Sequence, residues 1–209
     1  MKRLKNDNKS TKNFEGKDLT RFNFQSMNLG KSNFKNANLR DANMSLAILM
    51  DVNMEESTLE DARLLGADLR GANMRHANCR WASFMGADLS NANLEEIILK
   101  EANLMGTRLC EANLKNSYLE GAKFIGAELG RADLEGANLT DADFYRARMR
   151  DVNLKGADLR RTNLTGASLI GVNLVGVDLS TADIRDADMR GATVEPDKVI
   201  EYKKRGAIL

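Results

Sequence analysis

The chain has 209 residues, the size of one ordinary domain, and although 43% are hydrophobic only 5% are aromatic, which excludes a core built mainly from large rings. Its 31 basic and 30 acidic side chains leave a formal charge of +1, so the molecule as a whole is neither polyanion nor polycation. Two cysteines supply no disulfide framework, and no apolar run approaches a membrane span or a signal-peptide core, so a cytoplasmic, reducing compartment is expected.

Residues 1–12, MKRLKNDNKSTK, are polar and basic with almost no apolar anchor, and are expected to form a flexible lead-in. A nucleic-acid-binding or membrane-surface arm is the alternative for such a segment. From Phe14 to Val194 every fifth residue is large and apolar: of 37 positions 23 are Leu, 6 Phe and 5 Met, the rest being Cys79, Ile184 and Val194. A strict internal period dictates architecture before local propensity does.

Two residues before each large one stands a small one, Ala in 23 of the 32 cases between Ala37 and Ala192. Between the two lies mostly Asn or Asp, as in Ala37-Asn38-Leu39 and Ala157-Asp158-Leu159. Two apolar residues flanking a polar one is strand alternation, which turns both apolar side chains to one side. The remaining two residues must turn the chain, and 13 of the 16 glycines fall on the second of them, where a tight turn asks for positive φ. Ala, Leu, Met and Lys favour helix, but a five-residue period would scatter the large residues around a helix, so helix is rejected here. Each pentapeptide is therefore a very short strand and a corner, repeated around an apolar axis.

These units resemble the pentapeptide repeat family, whose motif is A(D/N)LXX, over residues 13–195. The resemblance implies an all-β fold, a right-handed quadrilateral parallel β-helix with four pentapeptides per coil, so that residue n stacks on n+20. It also implies about nine coils, roughly 43 Å at the ~4.8 Å strand spacing. At the start, Lys12 and Lys17 hold the small inward position and mark an imperfect coil, while Phe22 and Met27 replace Ala there and can plug the axis. At the end, Thr193-Val194-Glu195-Pro196 breaks the motif. Pro196 to Arg205 read as a short capping helix with Val199, Ile200 and Tyr202 on its apolar face, and Ile208 and Leu209 are expected to close the last coil, making 196–209 a cap and tail.

Counting in twenties sorts the outer surface into columns. Glu15, Lys35, Glu55, Arg75, Glu95, Lys115, Glu135 and Lys155 alternate in charge, which supports n+20 stacking, and Asn33, Asn53, Asn73, Asn93 and Asn113 form an amide ladder beside them. On the third face Leu65, Met85, Met105, Ile125 and Tyr145 point outward in adjacent rungs beside a bare corner of Gly66, Gly86, Gly106 and Gly126, with Leu46, Ile48 and Met50 around its lower end. A contiguous apolar strip of this kind is expected to be a protein interface, with a homodimer as its specific form.

Catalytic chemistry is not expected. His76 is the single histidine, Cys79 is inward and Cys110 outward so that they do not pair, and no glycine-rich loop precedes a helix. No cofactor or metal is expected, nor direct nucleic-acid or membrane binding. The reading is a non-catalytic interaction or scaffold protein with a protein partner. The resemblance implies an alternative, since some members of the family mimic duplex DNA, bind DNA gyrase and protect it from quinolones. That activity calls for a strongly acidic surface and register-breaking loops, whereas here Asp61, Asp68, Asp88 and Glu111 are mixed with Arg63, Arg70, Arg80 and Arg108 in an unbroken register.

Overall fold

A computed structural model describes residues 11–209. Of the lead-in expected over 1–12, residues 1–10 lie outside the described residues. Lys12 already belongs to the first rung, because its carbonyl accepts the Asn33 N–H and its N–H donates to Ser32 Oγ.

Strands are reduced to single-residue bridges. The residue before each large one pairs in parallel with its counterpart twenty residues on, from Asn13 with Asn33 to Asp188 with Ile208. A unit such as Phe14 to Lys17 shows how: Phe14 N–H reaches Asn33 O at 2.7 Å, Gly16 N–H reaches Lys35 O at 2.9 Å, and Lys17 N–H closes the corner on Phe14 O at 3.0 Å. Four corners per twenty residues give four faces, whose central outward columns begin at Asn13, Asp18, Asn23 and Asn28.

Inside, the large residues are buried from Leu19 to Met189 and most of the small ones with them, and each large one favours the fold by about 1.5–3 kcal/mol before chain entropy is subtracted. At Ser57 and Thr162, in place of Ala, the hydroxyl donates to the carbonyl three residues earlier, Met54 O at 2.6 Å and Leu159 O at 2.7 Å, while Thr107 Oγ1 donates to Phe84 O at 3.1 Å. Near the N-terminal end Phe14 stacks on Phe34 at 4.6 Å, Phe24 meets Phe34 edge-on at 5.6 Å, and the expected plug forms from buried Met27 and half-buried Phe22.

The corner explains the polar letter of the repeat. Asn33 Oδ1 accepts the Lys35 N–H at 3.1 Å, and Asp88, Asn103 and Asp143 do the same for the residue two positions on. The short side chain thus satisfies a turn N–H that no carbonyl reaches. The last corner residue has positive φ at every fifth position from Gly16 to Gly191 except Thr181. Non-glycine residues such as Asp41, His76 and Trp81 fill it as well as Gly.

Thr181 marks a seam. A β-branched residue resists positive φ, and here the bridges of Asn153 with Asn173 and of Asp158 with Asp178 are missing from the ladder. Leu154, Gly156 and Leu159 N–H find no carbonyl in the next coil, while Arg161 N–H turns to Thr181 Oγ1 at 3.1 Å. Ala157 is left half-buried where its equivalents are buried.

Beyond the last coil, α1 spans Lys198–Lys204, shorter than the expected Pro196 to Arg205. Tyr202 is buried, but Ile200 is exposed and Val199 only half-buried. Ile200 and Tyr202 are two residues apart on a helix and point to opposite sides, so the expected three-residue apolar face narrows to Tyr202. Arg205 donates to Leu179 O at 2.7 Å and Ala182 O at 2.6 Å, and Ile208 adds a last bridge on Asp188. The Ile208 side chain is exposed, while Ala207 is buried and Leu209 half-buried against the core.

Candidate protein interaction face

Leu65, Met85, Met105, Ile125 and Tyr145 occupy the first corner residue after the third face, one per rung. Leu65, Met85 and Met105 are exposed, whereas Ile125 and Tyr145 are half-buried. A Cβ built at Gly86, Gly106 or Gly126 would meet nothing within 4 Å, so the flank of the strip is bare. At Gly66 such an atom would meet Leu46 Cδ2 at 3.0 Å, which places Leu46, 58% exposed, against the lower end of the strip. Ile48 and Met50 continue it around the corner, and Met50 Sδ accepts Arg70 at 3.5 Å. At the upper end the Arg146 guanidinium lies 5.1 Å from the Tyr145 ring. By register the eight residues are one corner column and the outward positions of the adjoining coil, of which Leu46, Ile48, Met50, Leu65, Met85 and Met105 are exposed.

Two exposed aromatics escaped the column count. Trp81, 50% exposed, stands on the opposite edge of the third face, its Nε1 donating to Glu101 at 3.2 Å, and Tyr118, 51% exposed, lies on the second face. Trp81 was legible as the single Trp of the chain in an outward corner slot. Between Trp81 and Met85 the face centre carries only Ser83, so that rung is a shallow trough with apolar rims.

Much of the remaining surface is charge-paired. The alternating column resolves into separate contacts, Lys35–Glu55 at 3.1 Å, Arg75–Glu95 at 3.4 Å, and Glu135 between Lys115 at 3.2 Å and Lys155 at 3.5 Å, which hold the Glu135 carboxyl below its ordinary value. The Asn ladder donates along itself at Asn53 to Asn33, Asn73 to Asn53 and Asn113 to Asn93. Asp68, Asp158, Asp183 and Asp188 each receive Arg two residues on, which lowers all four carboxyls. A groove of about 670 Å³ at the N-terminal corner is lined by Asp18, Asp41 and Asp61 together with Arg21 and Arg63. Among the described residues no group of His, Cys, Asp and Glu is placed to hold a metal ion, and no helix is long and apolar enough to cross a membrane.

Repeats of the pentapeptide family model match at residues 18–55, 53–91, 87–126, 117–156, 127–166 and 157–195. The chain is a pentapeptide repeat protein. As such it winds as a right-handed β-helix solenoid, like HetL, a pentapeptide repeat protein involved in heterocyst differentiation regulation in the cyanobacterium Nostoc sp. strain PCC 7120. HetL is 30% identical, with 92% of this chain and 84% of HetL covered and a TM-score of 0.71. A trypsin-treated form of QnrB1, a plasmid-mediated fluoroquinolone resistance protein, is 19% identical over 99% of this pentapeptide repeat protein and 95% of QnrB1, with a TM-score of 0.46. No curated protein matches the chain in a sequence comparison.

Proposed function

We propose that this pentapeptide repeat protein is a non-catalytic interaction or scaffold protein of about nine coils, and that a protein partner docks on its third face and the adjoining corner. The observation that carries the reading is the exposure of Leu46, Ile48, Met50, Leu65, Met85 and Met105 on neighbouring coils of a surface where the first-face columns are ion-paired and amide-paired. An apolar band that stays in water without a structural use is what a docking surface offers. The regulatory involvement of HetL accords with a protein that acts by contact. In this reading residues 13–195 are the binding body, 196–209 cap its end, and no residue is catalytic.

A gyrase-binding DNA mimic finds less support, because such a surface needs unneutralised carboxylates and most of those here are held by Arg or Lys. Gyrase supercoiling in the presence of a quinolone is expected to be unchanged by the protein. For the main reading, immobilised wild type and Met85→Asp/Met105→Asp protein are compared for capture from the native cell, with circular dichroism as the folding control. A partner retained by the wild type and lost by the variant is the expected result, and equal capture by both sinks the assignment of the face.

A further inference from the structure

Two columns of the third face, the apolar corner column and the central column, are complementary to themselves about one rung. We propose that a second copy of this chain docks there, antiparallel, about a two-fold axis that crosses the face at Asn103 and Met105. This rests on the third face being the interaction surface and names its occupant. An axis lying across the face keeps every column opposite itself and reverses the order of its rungs, as an isologous contact requires.

In the corner column Met105 then meets its own mate, Met85 meets Ile125 and Leu65 meets Tyr145, so the apolar strip covers itself from end to end. In the central column Arg63 falls opposite Asp143. Arg63 is exposed and has no ion pair among the described residues. Asp143 spends Oδ1 on Tyr145 N–H and on Asn163 Nδ2, which leaves Oδ2 open to a new donor. Lys123, the other unpaired cation of that column, falls opposite the small Ser83 instead of a like charge.

On the far edge Trp81 falls opposite Gly121, which carries no side chain of its own but has Glu101 Cγ 3.4 Å from where a Cβ would stand. Asp61 faces Asp141 there, but Asp141 already carries two bonds of 2.6 Å from Arg161, and Arg161 lies opposite Asp41. Shifting the axis by half a rung, to lie between Met85 and Met105, would set Arg63 against Lys123 and strand Tyr145 opposite Ser45. The apolar column and the Arg63–Asp143 pair agree on this axis; on the far edge Glu101, which accepts the Trp81 Nε1–H at 3.2 Å, falls opposite its own copy and opposes it. From Arg63 to Asp143 the matched zone spans five rungs, roughly 19 Å at ~4.8 Å each. Opposite charges fix register in such a contact and like charges oppose it, so Arg63 opposite Asp143 and Asp41 opposite Arg161 weigh for this axis against the Glu101 and Asp61–Asp141 contacts.

Light scattering on the purified full chain tests this. The wild type should scatter as twice its 23.1 kDa, in a concentration-dependent equilibrium. Met105→Asp, which sets two carboxylates on the axis, should be monomeric with an unchanged circular dichroism spectrum. Arg63→Asp should raise the dimer dissociation constant about tenfold or more, and Arg63→Asp combined with Asp143→Arg should recover most of that loss, an exchange no purely local role would produce. A wild type that is monomeric at every concentration, a dimer indifferent to Met105→Asp, or a charge swap without recovery each overturns the proposal. A monomeric wild type that still loses its captured partner in the Met85→Asp/Met105→Asp protein overturns self-docking while leaving the interaction face in place. Strip substitutions that alter neither assembly nor capture overturn both.

Discussion

Single residues divide here by the slot they occupy. Cys79 sits in a large inward slot, fully buried, and burial pushes its thiol far above the ordinary cysteine range, whereas Cys110 stands half-exposed on a corner. One thiol per chain, Cys110, should therefore react with a maleimide in the native protein and two after denaturation; fast labelling of Cys79 under native conditions would contradict the packing. The Asp residues before the corner carry a second prediction. Asp68, Asp158, Asp183 and Asp188 have folded values lowered by the Arg two residues on, so they stabilise the fold above the ordinary aspartate value of 3.8 and lose that contribution as pH falls through their lowered values. The thermal midpoint should be flat from neutrality to about pH 5 and fall below about pH 4, with a smaller fall in a protein bearing Asn at these four positions.

The elements of this chain are corners more than strands, and the corner at Thr181 is the exception that sets local stability. Because Thr resists positive φ and the neighbouring bridges are absent, hydrogen exchange at Leu154, Gly156 and Leu159 should be faster than at Leu134 and Leu139, whose N–H groups bond to the next coil at 2.9 Å. Thr181→Gly, free to take positive φ, should slow exchange at the three amides and raise the unfolding midpoint in urea. Unchanged exchange would show that the adjacent Val172 and Val177, bulkier than the usual Ala, hold the seam open instead. The five-residue pattern of large residues does not show this seam; its signal is that Thr181 is the single β-branched residue in the corner slots from Gly16 to Gly191, where Ser26 and Asn36 do adopt positive φ.

For the whole molecule the question is how a solenoid ends. Arg205 spans from α1 to the carbonyls of Leu179 and Ala182, and Tyr202 is buried beneath it. Arg205→Ala removes charge-assisted bonds from two carbonyls of the last coil and should lower unfolding free energy by about 1–3 kcal/mol in urea titration; a loss below a few tenths would mean that the end is held by Tyr202 and the last bridge alone. The charge columns are a weaker hold, because their members are exposed and such pairs contribute only ~0–1 kcal/mol each.

The sequence by itself determined the buried architecture, since a five-residue period of large residues leaves one way to hide them all and every one of the slots from Phe24 to Met189 is in the core. Grouping by twenty also placed Leu46, Ile48, Met50, Leu65, Met85, Met105, Ile125 and Tyr145 in one corner column and the adjoining coil, because a solenoid turns sequence distance into position on a grid. Only the tertiary structure decided what depends on angle rather than count. It narrowed the apolar side of α1 to Tyr202, opened the seam at Thr181, and half-buried Ile125 and Tyr145. Each of these turns on a backbone dihedral or a side-chain direction, and a repeating pattern of letters carries neither.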